Sequence, residues 1–111
     1  MNFYKFQKEA RKTAIYPQRG TNDGYIYPTL GLAGEAGEVS ELVKKTIRDH
    51  DNEWSGKRKD QLMGELGDVL WYVANLCSEL GLDMDEIAKM NVKKLKSRQK
   101  RDVIRGDGSD R

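Results

Sequence analysis

Two hexapeptides carry the residues of this chain best placed to do chemistry. GEAGEV at residues 34–39 returns as GELGDV at residues 64–69, with glycine first and fourth and an acid second and fifth in both. A helix turns about 100° per residue, which sets where each acid points. In the first copy Glu35 falls inside the apolar stripe of Leu32, Val39, Leu42 and Val43, and Glu38 lies about 60° away at its edge. In the second, Glu65 sits among Leu62, Val69, Tyr72, Val73, Leu76 and Leu80, with Asp68 at the edge. If the two stripes face each other, four carboxylates meet. Taking an ionised carboxylate out of water costs several kcal/mol, so a positive partner is required. Either Lys or Arg from another helix supplies it, or a metal ion does. Carboxylates without Cys or His select a hard cation, Mg²⁺ or its substitute Mn²⁺. A di-iron bundle needs Glu-x-x-His on two helices, and the single histidine, His50, lies in neither hexapeptide. The four glycines each cost about 1 kcal/mol in a helix interior. Their matched positions predict close approach of a neighbouring helix.

A second row of polar residues lies toward the C-terminus. Asn91, Lys94 and Arg98 share a side with the apolar Ile87 and Leu95, whereas Lys89, Lys93, Lys96 and Lys100 point away. Snorkelling and the helix C-terminus account for Arg98 but poorly for Asn91. A carboxylate-held metal beside an amide and two cations suits a polyphosphate ester, whose charge both sets share.

These residues need helices to position them, and helical period runs through the whole chain. Asn2 caps a first helix that ends before Tyr16-Pro17. A loop over 18–26 leads to a second helix from Pro28 to about Arg48. A third spans roughly Asp60 to Leu80, closed by Gly81. Asp83 caps a fourth, with Glu86 completing a capping box, to about Arg101. The expected fold is all-α, an antiparallel bundle of four main helices. One domain over 1–105 is expected, followed by a glycine-rich polar tail over 106–111. Met63, Leu70, Trp71, Ala74 and Cys77 are apolar on the third helix's other side, which predicts that a homo-oligomer completes the fold.

The sequence resembles the MazG-like nucleoside triphosphate pyrophosphohydrolases in their small phage and bacterial form. LGLAGEAGEVSELVKK and ELGDVLWYVANLCSELGL match the family's Glu-x-x-Glu and Glu-x-x-Asp helices, NVKKLKSRQKR its Asn-x-x-Lys-Leu-x-x-Arg segment, and GDGSDR its glycine-rich ending. The resemblance covers essentially the whole chain. It implies Mg²⁺-dependent hydrolysis of an NTP or dNTP to the monophosphate and pyrophosphate, by a dimer or tetramer. It also implies Glu35, Glu38, Glu65 and Asp68 as metal ligands, with Lys94 and Arg98 on phosphates and Asn91 on phosphates or sugar. Glu38, at the stripe's edge, is expected to orient the attacking water, with Glu35 the other catalytic carboxylate. Many relatives have a glutamate where Gly34 stands, so a five-acid mechanism is not carried over to this chain.

For a base platform Tyr72 is the expected residue, with Phe6, Tyr16, Tyr25 and Tyr27 flanking the N-terminal loop. Trp54 reads as a lid or an exposed anchor, Asn75 as support for the metal or a solvent-facing amide, and Cys77 as a small core residue. The charge balance of +2 gives no strong electrostatic address, but residues 89–105 hold eight Lys or Arg against one acid, Asp102. That run keeps a nucleic-acid-binding module as an alternative, and a non-catalytic oligomerisation protein is a second. No membrane span or signal-type apolar run is read, so a cytoplasmic protein is expected, in the host if viral.

Overall fold

A computed structural model describes residues 1–111. The chain forms four helices, α1 Phe3–Lys12, α2 Ile26–Asp49, α3 Gly56–Glu79 and α4 Met84–Lys100, and no strand. The side chain of Asn2 caps α1 by accepting from the Lys5 N–H at 2.8 Å. Helix formation in α2 begins at Ile26, two residues before the expected Pro28, which falls in the first turn and is fully buried. The start of α3 lies four residues before the expected Asp60. Ser55 is the cap, accepting from Arg58 N–H at 3.2 Å, ahead of a polar first turn whose period hides the helix.

Gly81 (φ +68°) ends α3 as expected, and the Leu82 N–H reaches back to the Cys77 carbonyl at 2.8 Å. Asp83 caps α4 through the Asp85 N–H. Glu86 does not close a capping box, since its carboxylate accepts from Lys89 instead. The Met84 N–H is satisfied from outside, by the Gln7 side chain of α1 at 2.8 Å.

All four helices pack together, but as an open series and not a closed ring. The central helix is α3, with α2 along one side and α1 along the other, and α4 rests on α1 and the end of α3. The backbones of α2 and α4 stay more than 8 Å apart throughout, as do those of α1 and α2. The radius of gyration is 16.8 Å, against about 13 Å for a compact chain of this size. The small core of Ala10, Ala74, Cys77 and Met84 is flanked by Phe6, Trp71 and Val73. This corrects one expectation. Trp71, Ala74 and Cys77 are covered within the chain by α1 and the start of α4, and Trp71 Nε1 donates to Thr13 Oγ1 at 2.7 Å. Only Met63 and Leu70 of that face stay exposed.

The final residues fold back onto α4. Arg111 donates to the Val103 and Ile104 carbonyls, and Arg98 to the Ser109 carbonyl at 2.8 Å.

Candidate metal centre and its surroundings

Where α2 and α3 pack, Glu35, Glu65 and Asp68 each bring a carboxylate oxygen within 4.8 Å of the others. Glu35 and Glu65 are half-buried and Asp68 is exposed, as their positions in and beside the stripe require. Glu38 is exposed and stands outside this trio. It lines a cavity of about 180 Å³ together with Glu41, Leu42, Lys45, Gln61 and Glu65, one turn along the groove. No Lys, Arg or His lies within 4.0 Å of any of the four carboxylates. Glu65 within hydrogen-bonding reach, then partial burial, then the charges of Asp68, Glu65 and Glu38 hold the Glu35 carboxyl above its ordinary range. No ion pair within the chain offsets that repulsion; the nearest cation lining the cavity, Lys45, lies 3.9 Å from Glu41. All-oxygen donors on two rigid helices, with no nitrogen or sulfur ligand beside them, fit a hard divalent cation.

The hexapeptide glycines do not do what their spacing predicts. A Cβ at Gly34, Gly37, Gly64 or Gly67 meets nothing within 4 Å, so no helix of the same chain approaches there. Close approach occurs at Gly31, where a methyl group would overlap the Tyr72 ring. That seat fixes Tyr72 at the inner end of the acid groove. Burial first, then Tyr27 and the charges of Glu35 and Asp68, raise its phenol pKa.

Tyr72 is part of an aromatic cluster. Tyr16 stacks on Tyr27 with ring centres 5.4 Å apart, Tyr27 tilts against Tyr72 at 6.5 Å, and Trp71 meets both Tyr16 and Tyr72 edge-on. Phe6 belongs instead to the core beside α4, and Tyr25 is exposed. Trp54 is half-buried in the α2–α3 connection beside Arg58, and His50 is exposed there.

The helix carrying Asn91, Lys94 and Arg98 does not come to this site. Asn91 and Lys94 are exposed. Arg98 is 6% exposed beneath the folded-back tail, with its Nε lacking any acceptor. Angular position placed these residues on one face, but the partner of that face is not α2.

A buried polar network beside the aromatic cluster was not foreseen. Arg11 donates to Glu79 at 2.7 Å, to the Tyr16 hydroxyl at 2.6 Å and to Asn75 at 3.2 Å, and Tyr16 donates to Glu79 at 2.5 Å. Asn75, fully buried, also donates to the Ala10 and Trp71 carbonyls, so it is neither a metal support nor a solvent-facing amide. Burial alone would push the Glu79 carboxyl up, but bonds from Tyr16, Arg11 and the Gly20 N–H together hold it below its usual range. Its partners lie 59 to 68 positions away in sequence, beyond the reach of any local pattern.

Comparison with known proteins adds to this geometry. The MazG nucleotide pyrophosphohydrolase domain matches residues 28–103. The gene 37 protein of Mycobacterium phage L5 is 45% identical over 109 residues, spanning 96% of each chain. No solved structure matches.

Proposed function

This chain belongs to the MazG nucleotide pyrophosphohydrolase family, and on that premise we propose that it hydrolyses an NTP or dNTP to the nucleoside monophosphate and pyrophosphate. The observation that carries the reading is the convergence of Glu35, Glu65 and Asp68 from two helices with no cation to answer them. In this reading they hold Mg²⁺, or Mn²⁺ in its place, with Glu38 completing the set from the groove. A bound divalent cation neutralises triphosphate oxygens and the charge that develops on them. Exposed at the groove's edge, Glu38 orients a water and accepts its proton. The water oxygen bonds to phosphorus, the α–β anhydride bond breaks, and the bridging oxygen leaves with its electron pair. Tyr72, held by Gly31 and backed by Tyr27, offers the base a stacking face.

The catalytic unit in this reading is residues 1–105, since α1 contributes Ala10 and Phe6 to the core packed on α3. No helix is long and apolar enough to cross a membrane, and a cytoplasmic nucleotide pool is the setting this activity needs. Product analysis on each NTP and dNTP, with and without Mg²⁺, tests the reading. Metal-dependent release of pyrophosphate with a monophosphate is expected. A folded, Mg²⁺-saturated sample that turns over none of them would overturn it and favour a binding role.

A further inference from the structure

The outer face of α4 carries a row of charge that the chain leaves mostly unanswered. Lys89, Lys93, Lys96 and Lys100 fall within about 60° of one another around the helix and span about 17 Å along it. All four are exposed. Lys89 pairs with Asp85 and Glu86, but Lys93, Lys96 and Lys100 have no acid within 4.0 Å. The tail folds over Arg98 on the opposite face, and none of Asp102, Asp107 and Asp110 forms an ion pair. Like charges at i,i+3 and i,i+4 work against the helix that bears them. The helix dipole favours cations in the last turn, which accounts for Lys100 alone.

Residues 89–105 hold eight Lys or Arg against one acid in a chain whose total is +2, so the rest of the chain is net acidic. A partner of the row is therefore anionic, and the surroundings select its kind. Asp85, Ala88, Lys89, Val92, Lys93 and Lys96 line an open hollow of about 500 Å³ along the helix. From Met84 to Arg105 there is no Phe, Tyr, Trp or His. Without an aromatic platform, single strands gain nothing here beyond charge. A duplex carries one phosphate charge per about 1.7 Å of its axis, twice the density of one strand, and flexible point charges suffice to neutralise it. The acid groove, whose carboxylates repel such a polymer, lies elsewhere. It runs between α2 and α3, whereas α4 rests on α1 and the end of α3, and the backbones of α2 and α4 stay more than 8 Å apart.

We propose that the Lys89–Lys93–Lys96–Lys100 row docks this protein on the phosphate backbone of double-stranded nucleic acid, without sequence preference and with the acid groove left open. Asn91, Lys94 and Arg98 lie on the other side of α4 and take no part. The proposal is independent of the pyrophosphohydrolase reading.

Fluorescence anisotropy of a labelled mixed-sequence DNA duplex, in EDTA and over about 50–200 mM salt, tests it. Three neutralised phosphates give a slope of about −2.7 in log K against log salt, so binding should weaken about fortyfold across that range. Replacing Lys93, Lys96 and Lys100 together by Gln should abolish binding, while the melting temperature holds or rises because the like-charge row is relieved. Arg19→Gln, Lys57→Gln and Lys59→Gln combined lower the net charge equally from other exposed positions and should leave binding as native. No binding at the lowest salt, a slope near zero, or an equal loss in that control overturns the proposal. A single strand bound more tightly than the duplex overturns it as well. Displacement of the duplex by polyglutamate at equal charge assigns the row to an acidic protein surface instead and also sinks it.

Discussion

The uncompensated groove predicts that Glu65→Gln acts with opposite sign in the absence and presence of metal. The three carboxylates lie within 4.8 Å of one another; unit charges at that distance repel by about 3.5 kcal/mol at an effective dielectric of 20 and about 0.9 kcal/mol in water. Asp68 is exposed and the others only half-buried, so the screened figure is the closer one. Glu65 faces two neighbours, and a neutral amide of equal size relieves both repulsions, worth about 1–2 kcal/mol. For a chain of this size that raises the melting temperature by roughly 4–8 °C in EDTA. Added Mg²⁺ stabilises the native protein by about 2.7 kcal/mol at a hundredfold excess over its Kd. Most of this is lost in the variant, which lacks a ligand. The two melting series should therefore cross as Mg²⁺ is titrated from EDTA. A variant that melts below native in EDTA, or gains as much from Mg²⁺, would refute the metal-site reading.

Four further outcomes follow from the same geometry. Glu38→Gln should abolish turnover while the metal-free melt stays at or above native, and a near-normal rate would remove Glu38 from the mechanism. Arg11→Met strands the Glu79 carboxylate, 1% exposed, and should cost about 3 kcal/mol in denaturant titration; a loss below about 1 kcal/mol would mean Tyr16 and Gly20 suffice. Gly31→Ala forces a methyl into the Tyr72 ring and should cost about 1–3 kcal/mol despite better helix propensity, a cost that disappears in a Tyr72→Ala background. Burial, then the bond to Glu79, raises the Tyr16 phenol from 10.0 to about 12. The folded state thus keeps a proton the unfolded chain has lost. Stability should be full below pH 10.0 and fall as pH rises toward about 12. Tyr16→Phe should flatten that fall in alkaline melts, and an unchanged slope would refute the assignment.

Much of this was legible because it is periodic. The caps at Asn2, Asp83 and Gly81 and the inward direction of Glu35 and Glu65 all follow from local spacing. An angle on a helix says which residues share a face but not what meets it. That is why the basic row of α4 was placed with the wrong element, and why the cover that α1 provides for Ala74 and Cys77 went unseen. The hexapeptide glycines misled for the same reason, while the glycine under real contact, Gly31, sits outside the repeat. The Arg11–Glu79 network joins residues 68 positions apart and leaves no local trace.

Glu79 holds the loop between α1 and α2 from both sides. It accepts from Tyr16 at one end and from the Gly20 N–H at the middle, and Gly24 sits so close that a Cβ there has no room. Residues 17–19 and 21–23 are all exposed between these points. The loop is thus a replaceable cassette clipped by a single side chain of α3. Doubling its outer length costs only about 0.6 kcal/mol of closure entropy. Diversifying those six positions, with Tyr16, Gly20 and Gly24 kept, reshapes the mouth of the aromatic cluster and leaves the acid groove as it was.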